Sequence, residues 1–75
     1  MKTHFFFLSG VTASNRSGII EKLKEIDGSK PMQNVEKVGI SVFVVISPNS
    51  HEEISAQVAS AVSGSSAAIF QSNVV

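Results

Sequence analysis

Residues 39–53 read GISVFVVISPNSHEE, and two different structural signals stand back to back in them. From Ile40 to Ile46 the chain is apolar apart from Ser41, and rich in β-branched and aromatic side chains, the composition of a strand buried in a sheet. Ser50-His51-Glu52-Glu53 then has the form of a capping box, which opens a helix. Ile54, Val58, Ala61 and Val62 follow at helical spacing, until Gly64 in the segment SGSS stops the pattern. The body of this helix is alanine- and serine-rich, thin enough to pack closely on a sheet.

The same strand-then-helix order recurs toward the N-terminus. Aromatics across residues 3–9 predict a strand, closed by Gly10. After a loop of small residues, Ser17 is the expected helix N-cap, with Ser14 or Asn15 as alternatives. Ile19, Ile20, Leu23 and Ile26 then form an apolar stripe opposite Glu21, Lys22, Lys24 and Glu25. Gly28 ends that helix and Pro31 follows it. Residues 32–38, MQNVEKV, predict a weaker, more polar strand suited to a sheet edge. A last strand is expected through Ala67, Ala68, Ile69 and Phe70, with residues 73–75 loose beyond it.

The order β-α-β-β-α-β over residues 1–75 is that of a single ferredoxin-like α+β domain. Two right-handed crossovers put both helices on one face of a four-stranded antiparallel sheet, with the first and third strands central. Side chains alternate across a strand, so each central strand has two faces. Ile40, Val42, Val44 and Ile46 form one face of the third strand; Ser41, Phe43, Val45 and Ser47 form the other. In the first strand Phe5 and Phe7 oppose His4, Phe6 and Leu8. Both strands are apolar on both sides, whereas the helices cover one side only. The uncovered side is expected to carry Phe43 and Val45 with either Phe5 and Phe7 or Phe6 and Leu8. Phe5, Phe7, Phe43 and Val45 are taken as the interface, since a contiguous apolar patch of that kind marks one. A homodimer is expected, packed sheet against sheet or joined at edge strands.

Composition narrows the function classes. With no cysteine, disulfides and thiolate metal sites are excluded. A net charge of zero, with only 16% charged residues, gives little electrostatic protection against association. Between Arg16 and Lys37 five positive charges are interleaved with four negative ones, leaving +1 there and no basic patch. Nucleic acid is therefore a partner that the charge does not support. The apolar run after Lys2 is too short for an export signal, is broken by Ser9-Gly10, and cannot span a bilayer. A cytoplasmic location and no membrane partner are expected.

Candidate chemistry is sparse. His4 at the start of the first strand and His51 in the first turn of the second helix read as boundary residues rather than bases or ligands. His51-Glu52-Glu53 has no second histidine at the spacing a zinc helix needs. Ser9, Ser14 and Ser17 have no visible histidine and aspartate partners for a hydrolase triad. The loop from Ser9 to Gly18 leads from a strand end to a helix N-terminus, so Ser14, Arg16, Ser17 and Gly18 are candidates for holding an anion. Neither glycine-rich phosphate motif is present, however. No catalytic residue, metal ligand or cofactor is assigned.

MKTHFFFLSG at the start, GISVFVVISPNSHEEISAQVASAV at residues 39–62 and SSAAIFQSN at residues 65–73 together resemble the SinR-like and VapD-like small ferredoxin-fold proteins, which are related to the smaller CRISPR adaptation subunit. The resemblance implies a compact homodimer with a nucleic-acid-related role. Nucleases of that kind hold a metal on an aspartate near the end of the first strand. Here Leu8-Ser9-Gly10-Val11 stands in that place, and the chain's one aspartate is Asp27. The expectation is thus a small non-enzymatic interaction module, an accessory or regulatory protein of bacterial or phage type with a protein partner. A degenerate nuclease or nucleic-acid binder is the alternative, and a small-ligand or anion sensor using residues 9–18 is the third.

Overall fold

The computed structural model describes residues 1–35 and 39–75. Its elements are β1 (Lys2–Ser9), α1 (Arg16–Leu23), β2 (Gln33–Val35), β3 (Ile40–Ser47), α2 (His51–Val62) and β4 (Ala68–Val74). The strands form one antiparallel sheet in the order β2-β3-β1-β4. This is the expected ferredoxin-like arrangement, with β1 and β3 in the centre. The rest of the predicted second strand, residues 36–38, lies outside the described residues.

β1 and β3 pair along their whole length, with Phe6 opposite Phe43, His4 opposite Val45 and Leu8 opposite Ser41. Directly opposed residues point to the same face of the sheet. Phe6, Leu8, Phe43 and Val45 all lose essentially all contact with water and join Ile19, Leu23, Ile54, Val58 and Val62 in one core. Every buried sheet side chain therefore lies on the face that the helices cover. The expected interface is corrected at two of its four positions. Phe43 and Val45 are core residues under the helices, because the register binds them to Phe6 and His4. Phe5 and Phe7 do occupy the uncovered face, and their partners there are Val44 and Val42.

α1 begins one residue after Asn15, so Ser17 lies inside the helix rather than capping it. Asn15 gives no side-chain cap bond; its amide ties the loop together instead. Regular helix ends at Leu23, and two tighter three-residue bonds, Glu25 to Lys22 and Ile26 to Leu23, carry the chain on to bury Ile26. α2 follows the expectation closely. Ser50 is extended and its hydroxyl accepts from the Glu53 amide at 3.2 Å.

The C-terminal tail is not loose. β4 runs on to Val74, and the main chains of Thr3 and Val75 exchange two bonds of 3.0 and 2.9 Å. The physical reason is the outer edge of β1, whose amides and carbonyls need partners along its full length. On the other side of the sheet, residues 28–30 already reach β3: the Ile46 amide donates to Gly28 and the Lys30 amide to Val44, each at 2.9 Å.

Gly28 makes that approach possible. Its φ is +86°, and a Cβ there would run into the Ile46 carbonyl. Gly28→Ala is expected to lower stability by roughly 2 kcal/mol or more. Gly18→Ala, inside α1 with open space around it, is expected to raise stability by about 0.5–1 kcal/mol. Urea denaturation of both variants beside the parent chain measures the contrast.

Candidate functional site

Two places in the fold are candidates for more than a packing role. The first is the face of the sheet opposite the helices. Alternation puts Thr3, Phe5, Phe7 and Ser9 there from β1, and Ile40, Val42, Val44 and Ile46 from β3. Phe5, Phe7, Ile40, Val42 and Val44 are half-buried, and Ile46 is exposed. Phe70 of β4 extends the patch. Its ring lies 6.3 Å from that of Phe7 at 55°, and half its surface is open. Gln33, Gln71 and Asn73 lie at the margins. Among the described strand residues this face holds no charged side chain.

The second place is on the covered face, where sequence reasoning set two histidines apart and the fold joins them. His4 is completely buried, and its Nδ1 lies 2.9 Å from Nδ1 of His51. His4 Nε2 lies 3.3 Å from the Ser47 carbonyl, and His51 Nε2 lies 3.0 Å from the Ser72 hydroxyl. The two imidazoles are within 5° of parallel with centroids 5.2 Å apart. With the facing nitrogens only 2.9 Å apart, that separation places the rings edge to edge, not face on. The Nδ1 bond is thus close to linear. Phe6 lies parallel to His51, 8° off with centroids 5.3 Å apart, and holds the ring from the side.

An irregularity in β4 completes this chain. Pairing of β1 with β4 shifts register between Phe7 and Leu8, which face Gln71 and Ile69, so Phe70 is the extra residue of a bulge. Beyond the bulge the alternation changes phase. Ser72 is opposite Phe6 and points toward the helices, where His51 stands at the start of α2. No short motif announces Ser72 or the histidine pair, and the hydrolase candidates Ser9, Ser14 and Ser17 near the first loop take no part. The only hint is positional: His4 shares the inward parity of Phe6 and Leu8.

The loop candidates lie elsewhere and do not converge. Ser14 bonds Thr12 through its hydroxyl at 3.1 Å, and the Arg16 amide is spent on the Thr12 carbonyl. Ser17 and Gly18 are exposed. Of the four, only Gly18 lines the adjacent hollow of about 260 Å3 between the start of α1 and the end of α2. A cleft of about 340 Å3 with mainly apolar walls, Leu23, Met32 and Phe43 among them, lies beside β2 instead. No helix is long and apolar enough to cross a membrane among the described residues. Comparison with protein-family models, with curated proteins and with solved structures gives no match.

His51 carries a pH signature. Burial, and then the neighbouring His4, hold its pKa below the ordinary value of 6.5. Unfolding releases the ring from both effects, so below that value the unfolded chain binds more protons than the folded one. The contribution is present above the ordinary value and is lost as pH falls through the lowered one. The urea midpoint is expected to drop between about pH 7 and about pH 5, and His51→Gln is expected to flatten that drop. A parent midpoint unchanged across this range would contradict the linkage.

Proposed function

We propose that the protein is a homodimeric interaction module, cytoplasmic and accessory in role, which joins through the helix-free face of its sheet and then presents the dimer to a protein partner. The observation that carries this reading is the uncharged apolar stripe over both central strands: Phe5, Phe7, Val42, Val44, Ile46 and Phe70. A second copy fits this stripe better than a charged partner does. It brings an identical face with no like charge to repel, and the chain as a whole has net charge zero.

Magnitudes allow a dimer of at most moderate affinity. Covering ~400 Å2 of apolar surface contributes on the order of 10 kcal/mol, and association costs about 4–15 kcal/mol in lost freedom. Such a dimer holds at micromolar concentration only if Phe7, Val44 and their neighbours pack well. The resemblance to SinR-like and VapD-like proteins implies a homodimer as well. Its nucleic-acid side gains nothing from the charge distribution, so protein contact is the preferred role.

Sedimentation equilibrium tests the proposal. The parent chain is expected to be dimeric in the micromolar range. Val44→Lys places a charge in the middle of the face, opposite Phe5 in the register, and is expected to weaken the dimer by about 100-fold or more. Circular dichroism checks that the variant keeps its fold. A parent chain that remains monomeric at high micromolar concentration would overturn the reading.

A further inference from the structure

Ser72 ends a chain of hydrogen bonds whose direction the main chain dictates. The Ser47 carbonyl can only accept, so His4 Nε2 carries a proton toward it. In the neutral ring His4 Nδ1 is then bare, and it must accept from Nδ1–H of His51 across 2.9 Å. His51 Nε2 is bare in its turn and accepts the Ser72 hydroxyl proton at 3.0 Å. For two neutral rings, no other choice of tautomers satisfies all three contacts.

We propose that Ser72 is an activated nucleophile, with His51 as its general base and His4 as the residue that positions His51. A nucleophile within hydrogen-bond reach of a base, itself oriented by a third group, is the arrangement that nucleophilic catalysis requires. The class of substrate is a small activated acyl donor. Ser72 is exposed on an edge strand, where such a donor reaches it from solvent, while His4 is sealed in the core and serves only to orient. This activity lies on the opposite side of the sheet from the proposed dimer face and is independent of it.

The step balances without a cofactor. Ser72 Oγ attacks the carbonyl carbon of an ester as its proton passes to His51 Nε2. The Nδ1–H of the resulting imidazolium stays bonded to the bare Nδ1 of His4. The ester C–O bond breaks, and His51 returns the proton to the departing alkoxide. Water then repeats the sequence, releasing the carboxylic acid and restoring Ser72. Titratable neighbours of the pair are few. Lys2, exposed, precedes His4 at the same strand parity, and Glu52 and Glu53, both exposed, follow His51 on α2. β3 faces the pair with Val45 and Ser47, and β4 with Ser72 and Val74, none of them charged.

p-Nitrophenyl acetate, read by nitrophenolate release and by mass mapping of the acetylated chain, tests the proposal. The expected result is a stoichiometric burst with the acetyl group on Ser72, absent in Ser72→Ala. His51→Gln is expected to slow it by about 100-fold or more. The parent rate should follow the deprotonation of His51, with a midpoint below 6.5 and a plateau above it. His4→Phe, which keeps the site filled but removes the acceptor, should lose the plateau. His4→Asn, whose carboxamide oxygen can accept from His51, should restore much of it. Acetylation on lysines, the N-terminus or His51 itself, a rate indifferent to His51→Gln, or no burst at all, would each overturn the assignment.

Discussion

Phe6 and Phe43 face each other across β1 and β3, both shut off from water, and the register they set decides which half of each central strand is core. Strand side chains alternate with a period of two, so a slip of one residue exchanges every inward side chain for an outward one. In most half-buried sheets the polar face penalises such a slip. Here both faces are apolar, and the penalty must come from shape and from polar groups that fit on one side only. His4, Ser41 and Ser47 supply it. All three are buried on the covered face, and each has a partner there: His51 for His4, Asn34 for Ser41, and the Asn49 amide for the Ser47 hydroxyl. A slip of β1 would part His4 from His51 and from the Ser47 carbonyl and leave polar groups unpaired in the core.

The same three residues explain what could and could not be read from the chain. The element order, the capping box at Ser50 and the apolar stripe of α2 are local signals, and local signals survive into the fold. Which face of β3 lies inside is not local. Ser41 and Ser47 flank Phe43 and Val45, giving that face the more polar appearance, yet it is the buried one, with its serines satisfied by Asn34 and by the Asn49 amide. Hydropathy cannot register a partner it does not see. For β1 the sequence left two readings open, Phe5 with Phe7 or Phe6 with Leu8 on the uncovered side, and the pairing of Phe6 with Phe43 decides between them.

Helix boundaries show the same division. Asn15 stands where a cap residue is expected, but its carboxamide accepts from the Thr12 amide and donates to the Gly10 carbonyl and the Ser66 hydroxyl. Those bonds fasten the first loop to the turn before β4, at the point where Gly10, with φ +77°, passes too close to the Ser66 carbonyl to allow a Cβ. A capping bond would have been worth about 1 kcal/mol to α1 alone. The observed bonds instead join β1, α1 and β4, so the loop acts as a clasp between distant segments. That tertiary use is why the loop's amides turn inward to Thr12 instead of opening toward an anion.

The bulge at Phe70 links the two faces of the molecule. An unbroken alternation from Ile69, which faces Leu8 on the covered side, would send Phe70 outward, Gln71 inward and Ser72 outward. The extra residue changes the phase after Phe70. Phe70 keeps its outward parity and leans on Phe7, widening the apolar stripe, while Ser72 turns inward and meets His51. The covered face gains Ser72 only through this one inserted residue, and the insertion costs a ladder position on an edge strand, where pairing is already one-sided. A bulge retained in so short a strand therefore decides which side of the sheet Ser72 takes. Removing it would turn Ser72 outward, away from His51, while Phe70 would keep its outward parity beside Phe7.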